Sequence, residues 1–161
     1  MIVHWPGGIS AKNEIRHNPC HFVDIVPTML DLAGGKPNGV FPQDAPPFAG
    51  KSFAPVFKKD NTVLRDFLYF HHNNNRAVRT GELKLVSIGQ NGPWELYDLK
   101  KDRCEQVNLA DKFPDKAREL AALWQSKEDN FVKTREAAAP SSKALMQPNA
   151  GGGAAKKKKK Q

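Results

Sequence analysis

The chain has 161 residues, of which 39% are hydrophobic and 26% are charged. This composition predicts a folded globular protein and excludes a wholly disordered chain. No run of 18 apolar residues occurs, so we expect no transmembrane helix, and the first residues show no signal peptide. The two cysteines, Cys20 and Cys104, are too few for a disulfide-rich secreted mini-domain.

The formal net charge of +8 comes from 25 basic and 17 acidic residues, and residues 156–160 are five consecutive lysines. Without these lysines the balance is 20 minus 17, or +3. Because the body of the chain is nearly neutral, we expect no specific nucleic-acid partner. One alternative function uses the tail: a non-catalytic binding module whose polybasic end contacts anionic polymers or a membrane surface.

The first third of the chain predicts a strand, a turn and a helix. Residues 2–5 are typical of a short strand, and Pro6-Gly7-Gly8 ends it as a turn. Asp24 is a candidate N-cap for a helix that ends at Gly34. Its apolar residues have helical spacing: Ile25, Val26, Met29, Leu30 and Ala33. Residues 35–62 hold five prolines and show no period, which predicts a long connecting loop.

The next segment predicts a small antiparallel sheet of three or four strands. Its β-prone runs are residues 67–71, 76–79, 83–88 and 94–99. A helix over about residues 114–134 carries one apolar stripe that suits a face of this sheet: Phe113, Ala117, Leu120, Trp124 and Phe131. From residue 135 onward the chain is rich in Ala, Gly, Ser and Lys, and we expect disorder there.

Few residue patterns suggest chemistry. Gly50-Lys51-Ser52 resembles the end of a phosphate-binding loop, but Ala45 stands where the motif needs its first glycine. His17 and His21 are separated by Pro19, which argues against a helical metal site. His71 and His72 should point to opposite faces of a strand. With the Asn73–75 cluster and Arg76 they form a polar, cationic strand end, which is either a ligand contact or a solvated turn.

Five stretches of the sequence together resemble the C-terminal part of sulfatases, especially bacterial arylsulfatase-like members of the alkaline-phosphatase-like superfamily. They follow one another in the order of the family: residues 2–9 (IVHWPGGI), 21–34 (HFVDIVPTMLDLAG), 50–56 (GKSFAPV), 75–86 (NRAVRTGELKLV) and 94–110 (WELYDL to NLA). The resemblance covers about residues 1–134.

The resemblance implies an α/β family fold of which this chain is the C-terminal fragment. It assigns residues 1–34 to one strand and helix at the end of the large α/β domain and residues 35–62 to a connecting loop. Residues 63–134 would be a small antiparallel sheet packed on a C-terminal helix, and residues 135–161 a disordered Ala/Gly/Lys tail. The expected partner is the missing N-terminal sulfatase domain.

The resemblance also implies sulfuric ester hydrolysis, with a formylglycine nucleophile and a calcium ion in the complete enzyme. This chain lacks the Cys/Ser-x-Pro-x-Arg motif and the Asp pairs that hold the metal, so we expect no catalytic residue, no metal ligand and no activity alone. By resemblance to a Glu-His-x-Gly-Asn-Arg segment of relatives, His72, Asn75 and Arg76 are the candidates for the substrate side. Family members are often periplasmic, secreted or lysosomal.

Overall fold

The computed structural model describes residues 1–35 and 46–145, and the side chains as far as residue 137. A single 3₁₀ turn, Phe22–Asp24, precedes the first helix. The elements that follow in chain order are α1 (Ile25–Leu32), α2 (Ala54–Lys58), β1 (Leu68–His72), β2 (Asn75–Thr80), β3 (Leu83–Ser87), β4 (Glu95–Asp98) and α3 (Pro114–Leu145). Among the described residues, none of the helices combines the length and the apolar composition of a transmembrane span.

The four strands form an antiparallel meander in the order β1-β2-β3-β4. Asn73 and Asn74 connect β1 to β2 with φ angles of 46° and 68°. Two positive φ angles in a two-residue loop are the geometry of a type I′ hairpin turn, which asparagine tolerates better than most residues. The predicted antiparallel sheet is therefore confirmed, and the asparagine cluster is its first turn.

Helix α3 covers one face of the sheet, as the apolar stripe predicts. The strands contribute Val78, Leu85 and Leu96 to the core, and the helix contributes Leu120 and Trp124. The indole N–H of Trp124 donates to the carbonyl oxygen of Phe70 at 3.1 Å, which satisfies the polar atom of a buried ring. We call residues 68–137 the sheet–helix lobe.

Residues 1–35 and 46–66 are called the leading segment. It has a small apolar cluster of its own, formed by Phe53, Val56 and Val63. The segment lies against the other face of the sheet, where the ring of His21 is 4.9 Å from the ring of Phe70. The sheet is thus covered by α3 on one side and partly by the leading segment on the other.

The predicted strand at residues 2–5 is not formed. These residues are exposed and have no regular structure. A strand needs a neighbour for its backbone hydrogen bonds, and among the described residues all four strands belong to the small sheet. Residues 2–5 have the sequence pattern of a strand, but they form none because no neighbouring strand pairs with them in the described part of the chain.

The predicted helix is present as α1, but Asp24 does not cap it as predicted. The Asp24 carboxylate makes no cap hydrogen bond to α1. It accepts instead from the backbone N–H groups of His21 at 2.7 Å and Lys51 at 3.0 Å. The backbone already turns before α1, so the carboxylate faces the 3₁₀ turn and the next stretch of chain.

Two boundaries differ from the sequence prediction. The long loop contains the one-turn helix α2, with Pro55 in its first turn, and residues 36–45 of that loop lie outside the described residues. Helix α3 continues to Leu145 rather than ending at Thr134. The run Glu136-Ala137-Ala138-Ala139 has strong helix propensity, which favours continuation of the helix. The prediction of disorder rested only on the small amount of apolar surface that these residues can bury. The lysine run at 156–160 lies outside the described part.

Candidate functional site

The hairpin end of β1 and β2 holds the three residues predicted for the substrate side. His72 pairs with Asn75 in the strand register, and His71 pairs with Arg76. Cross-strand partners share a face of an antiparallel sheet and successive residues alternate. His72 and Asn75 therefore lie together on the face of the leading segment, whereas Arg76 lies on the face of α3.

Asn75 fixes the loop that follows β3. Its side-chain oxygen accepts from the backbone N–H of Gly89 at 2.9 Å. The same loop is held from the other face by Ser87, whose hydroxyl donates to the carbonyl oxygen of Gly92 at 2.8 Å. The hairpin turn and residues 88–94 are thus joined at one end of the sheet.

Arg76 is engaged with protein groups. Its guanidinium donates to the Ser87 hydroxyl at 2.9 Å and to the Gly92 carbonyl oxygen at 3.4 Å. The same group lies 4.7 Å from the ring centre of Trp94 and 5.7 Å from that of Trp124, within the range of cation–π attraction. These contacts make Arg76 a support for the loop, and of the three predicted residues only His72 and Asn75 are exposed.

A second polar cluster joins β1 to α3. The Tyr69 hydroxyl and the Nδ1 atom of His71 both contact one carboxylate oxygen of Glu128, the histidine at 3.2 Å. Burial, followed by the hydrogen bond to Glu128 and its negative charge, raises the pKa of the Tyr69 phenol. Tyr69 therefore stays a neutral donor, and the cluster ties the edge strand to the helix.

A buried ion pair holds the leading segment together. The Asp24 carboxylate lies 2.5 Å from a guanidinium nitrogen of Arg65, and their side chains are only 3% and 10% exposed. The Thr28 hydroxyl donates to the Asp24 carbonyl oxygen at 2.6 Å and accepts from the backbone N–H of Phe53 at 2.8 Å. These contacts connect α1 with residues 51–65, immediately before β1.

The tight turn at Gly50 explains the false phosphate-binding motif. A Cβ atom on Gly50 would lie 1.9 Å from the carbonyl oxygen of Val23, so only glycine permits this close approach. The approach lets the next backbone N–H, that of Lys51, reach Asp24. The Gly-Lys-Ser sequence therefore allows residues 50–51 to pack closely against the backbone at Val23 and Asp24.

Asp60 makes a second polar attachment within the leading segment. Its carboxylate accepts from the backbone N–H groups of His17 at 2.8 Å and Asn18 at 3.0 Å. The His17 N–H contributes most, and with the Asn61 and Asn18 N–H groups it outweighs desolvation and lowers the pKa of Asp60 from 3.8 to about 2. Asn18 then pairs with both backbone groups of Val63, at 2.9 and 3.1 Å.

The apolar face of α1 is uncovered. In the predicted stripe, Ile25 and Val26 are each 47% exposed and Met29 is 64% exposed, and the neighbouring Phe22 is 86% exposed. The buried positions of the helix are Pro27 and Thr28. Beside this face lies an open apolar cavity of about 480 Å³, lined in part by Trp5, Met29 and Phe53. Contiguous apolar surface of this kind marks a site of protein contact.

The residues present do not fit a calcium ion or a formylglycine nucleophile. Within residues 1–35 and 46–145, no three His, Cys, Asp or Glu side chains come together as candidate metal ligands. Cys20 and Cys104 are exposed free thiols, and neither begins a Cys-x-Pro-x-Arg sequence.

Two functional features escaped sequence analysis. The first is the loop at residues 88–94, where the sequence Gly-Gln-Asn-Gly between two predicted strands is a recognisable turn signal. The pairing of Asp24 with Arg65 spans 41 positions and follows no local period. No pattern in the sequence could have revealed it without the fold.

Comparisons with known proteins show which family this chain resembles. Residues 1–130 match the family described as "N-sulphoglucosamine sulphohydrolase, C-terminal". An uncharacterized sulfatase of Schizosaccharomyces pombe is 34% identical over 139 residues, which cover 73% of this chain and 24% of the relative. The N-acetylglucosamine-6-O-sulfatase of Bacteroides thetaiotaomicron is 27% identical over 149 residues, which cover 81% of this chain and 25% of the relative.

A solved structure shows that the fold of this chain is also similar to part of a known protein. A protein solved in complex with its substrate, D-glucosamine-2-N,6-O-disulfate, superposes with a TM-score of 0.52 and 26% identity, over 68% of this chain and 24% of that protein. The chain therefore spans about a quarter of the length of the proteins it matches. Its match to a C-terminal family over residues 1–130 shows that the chain belongs to the sulfatases and corresponds to their C-terminal region.

Proposed function

We propose that this chain is the C-terminal part of a sulfuric ester hydrolase and acts only together with the rest of that enzyme. The observation that carries the proposal is the uncovered apolar face of α1 in a chain that matches only the C-terminal quarter of sulfatases. Four large side chains of this face are at least 47% exposed. Burial of such groups contributes roughly 25 cal/mol per Å², which favours a covering partner.

The partner in this proposal is the N-terminal sulfatase domain. Residues 1–34 would complete its large α/β domain, with the unpaired stretch 2–5 adding a strand to a sheet edge. Residues 35–62 would connect the two parts, and residues 63–134 would form the smaller lobe. The formylglycine nucleophile and the calcium ion belong, in this proposal, to the part of the enzyme outside this chain.

His72 and Asn75 are proposed to face the substrate side of the complete enzyme. Both are exposed on the face of the sheet that also carries Phe70, which contacts the leading segment. An imidazole and an amide supply hydrogen-bond donors and acceptors for the leaving group of a sulfate ester. Arg76, on the opposite face, supports the neighbouring loop.

A chimeric enzyme tests the catalytic proposal. The matched C-terminal quarter of the Bacteroides N-acetylglucosamine-6-O-sulfatase is replaced by this chain, and hydrolysis of N-acetylglucosamine-6-sulfate is measured. We expect turnover by the chimera and none by the 161-residue chain alone. Hydrolysis of an aryl sulfate by the chain alone would contradict the proposal, and so would a folded but inactive chimera.

The same chimera tests the site. We expect His72→Ala to raise KM about tenfold, since one lost hydrogen bond to a substrate is worth about 1.4 kcal/mol. The control is Lys101→Ala, at the opposite end of the sheet, where the side chain is 83% exposed. Unchanged KM and kcat in the His72 variant would remove His72 from the substrate side.

A further inference from the structure

A small cavity lies between the leading segment and the sheet, beside the turn that joins β2 to β3. Its volume is about 160 Å³. The leading segment contributes residues within 18–19 and 61–65 to its lining, and the sheet side contributes residues within 67–68 and 79–82. One water molecule needs only about 10–15 Å³, so the cavity has room for a small polyatomic ion.

Arg65 brings a buried guanidinium with an unused donor to the lining of this cavity. Its side chain is nine-tenths buried, and its Nη2 atom lies 2.5 Å from the Asp24 carboxylate. The buried Nε atom has no hydrogen-bond acceptor among the described residues. A buried N–H group without an acceptor has lost its hydrogen bonds to water and gained none in return. The Nε atom of Arg65 therefore favours an acceptor that enters from outside the chain.

Arg79 supplies a second guanidinium from β2. Its Nε atom donates to the carbonyl oxygen of Gly81 at 2.8 Å. Its Nη2 atom lies 3.7 Å from the Glu82 carboxylate, which is longer than a hydrogen bond, and the Glu82 side chain is 57% exposed. Glu82 is therefore a loosely held partner, which can turn into solvent when another anion approaches Arg79.

Two guanidinium groups at one cavity suit an oxyanion. Each guanidinium carries a planar fork of N–H donors that matches the oxygens of a sulfate, phosphate or carboxylate group. Apolar lining residues such as Val63, Phe67 and Leu68 lower the local dielectric and strengthen this attraction. Arg65 and Arg79 belong to different elements, so an ion with four oxygens can accept from both, whereas the two oxygens of a carboxylate lie in one plane.

We infer that this cavity is a binding site for a small tetrahedral oxyanion, inorganic sulfate or inorganic phosphate, with Arg65 and Arg79 as its donors. The site lies at the end of β2 opposite to Asn75, and the inference does not depend on the proposed function. The bound ion would also join the leading segment to the sheet, since one donor comes from each.

An NMR titration of the ¹⁵N-labelled 161-residue chain tests the inference. Sodium sulfate and sodium phosphate are added to separate samples, with the ionic strength held constant by sodium chloride. With either ion we expect saturable shifts of the amides of residues 61–65 and 79–82 and of the Nε–H groups of Arg65 and Arg79. Absence of saturable shifts with both ions, or equal saturation by sodium acetate or by sodium chloride alone, would overturn the inference.

Substitutions of opposite expected sign sharpen the test. We expect Arg79→Gln to weaken binding of the oxyanion about tenfold, since it removes charge-assisted hydrogen bonds. Glu82→Gln removes the competing carboxylate and should tighten binding about threefold. Arg118→Gln is the matched control, because its side chain is 74% exposed on α3, which covers the other face of the sheet. Unchanged affinity in both the Arg79 and the Glu82 variants would overturn the inference.

Arg65→Lys tests the buried donor. The lysine keeps a positive charge beside Asp24 but lacks the fork of donors, so we expect binding about tenfold weaker. The amide spectrum of this variant shows whether it is folded. Wild-type affinity in a folded Arg65→Lys variant would remove Arg65 from the site and overturn the inference.

Discussion

The sheet–helix lobe and the leading segment are stabilised in different ways. In the lobe, strands and α3 bury large apolar side chains completely, with Leu85, Leu96 and Leu120 at most 1% exposed. The leading segment has only a three-residue apolar cluster and is held mainly by Asp24 and Asp60. Its largest apolar face points outward. The lobe buries the side chains of its own core, whereas the leading segment leaves the apolar face of α1 exposed.

The largest expected effect is in the core of the lobe. Trp124→Ala removes a ring that contacts Arg76, Tyr69 and Trp94 and a hydrogen bond to the Phe70 carbonyl. We expect the free energy of unfolding to fall by about 4 kcal/mol, since large-to-small core substitutions of aromatic residues cost about 3–5 kcal/mol.

Urea denaturation followed by circular dichroism measures this loss. Phe22→Ala is the matched control, because its aromatic ring is 86% exposed, and we expect a change of about 0.5 kcal/mol or less. A loss of several kcal/mol in the control would mean that the leading segment is already packed, contrary to the comparison.

The next effect concerns the buried ion pair. Asp24→Ala leaves the Arg65 guanidinium without its counter-charge and removes acceptors from His21 and Lys51. Removal of one partner of a buried pair costs about 3–5 kcal/mol. Because the pair joins parts of the leading segment, we expect local release of residues 17–35 and 46–65 while the sheet stays folded.

Limited proteolysis and hydrogen exchange distinguish local from global loss. Residues of α1 should exchange faster in Asp24→Ala, whereas the amides of β2 and β3 should keep their protection. Asp31→Ala serves as the control on the same helix, since its exposed carboxylate accepts a hydrogen bond from the Ser52 hydroxyl and lies outside the buried ion pair. Loss of protection throughout the sheet would show that the two regions unfold as one unit.

The comparison also explains which features the sequence could predict. The strands of the lobe follow from alternating and β-branched residues, and the α3 face follows from the spacing of Ala117, Leu120 and Trp124, because local periods decide these elements. Residues 2–5 have the same local character, yet no strand forms, because strand formation depends on a neighbour that the sequence pattern cannot supply. The apolar stripe of α1 follows from its helical spacing, and its exposure agrees with the missing N-terminal domain that the resemblance implies.

The candidate site was predictable only in part. The resemblance indicates His72, Asn75 and Arg76 as a group. The alternation of side chains along a strand places Arg76 on the opposite face of the sheet, but this follows only once the strand register is known. The asparagine cluster predicts a turn with positive φ angles, but the register depends on which two residues form it, and the structure shows that they are Asn73 and Asn74. The support of residues 88–94 by Ser87 and Arg76 comes from contacts between strands, which a single sequence does not encode locally.

A smaller, pH-dependent effect should appear at Asp60. Its pKa is about 2, below its ordinary value of 3.8. A lowered folded-state pKa means that the carboxylate stabilises the folded form above pH 3.8, and that this contribution is lost as the pH falls towards about 2. We expect the amide shifts of His17 and Asn18 to change with a midpoint near that pH.

An NMR titration between pH 6 and pH 1.5 measures the midpoint. Asp60→Asn should abolish the transition at both amides. Asp115→Asn is the control, since the Asp115 side chain is 91% exposed on α3 and lies far along the chain from both amides. A midpoint near pH 4 at His17 would show that the N–H groups do not hold the carboxylate, and that the leading segment lacks this attachment.

The smallest expected change in stability lies on the uncovered face of α1. Met29→Lys places a charge where the side chain is already 64% exposed. We expect a change of about 0.5 kcal/mol or less in the free energy of unfolding. In the isolated chain this variant should also bind less apolar dye, because it interrupts the exposed patch.

In the chimera the same lysine would be buried against the catalytic domain without a partner, which costs several kcal/mol. We therefore expect a chimera that melts earlier and has lost most of its turnover. Lys58→Ala, in the last turn of α2, is the control for both settings. If Met29→Lys changed neither the melting temperature nor the turnover of the chimera, the apolar face of α1 would be exposed to solvent in the complete enzyme. A partner other than the catalytic domain would then have to cover it.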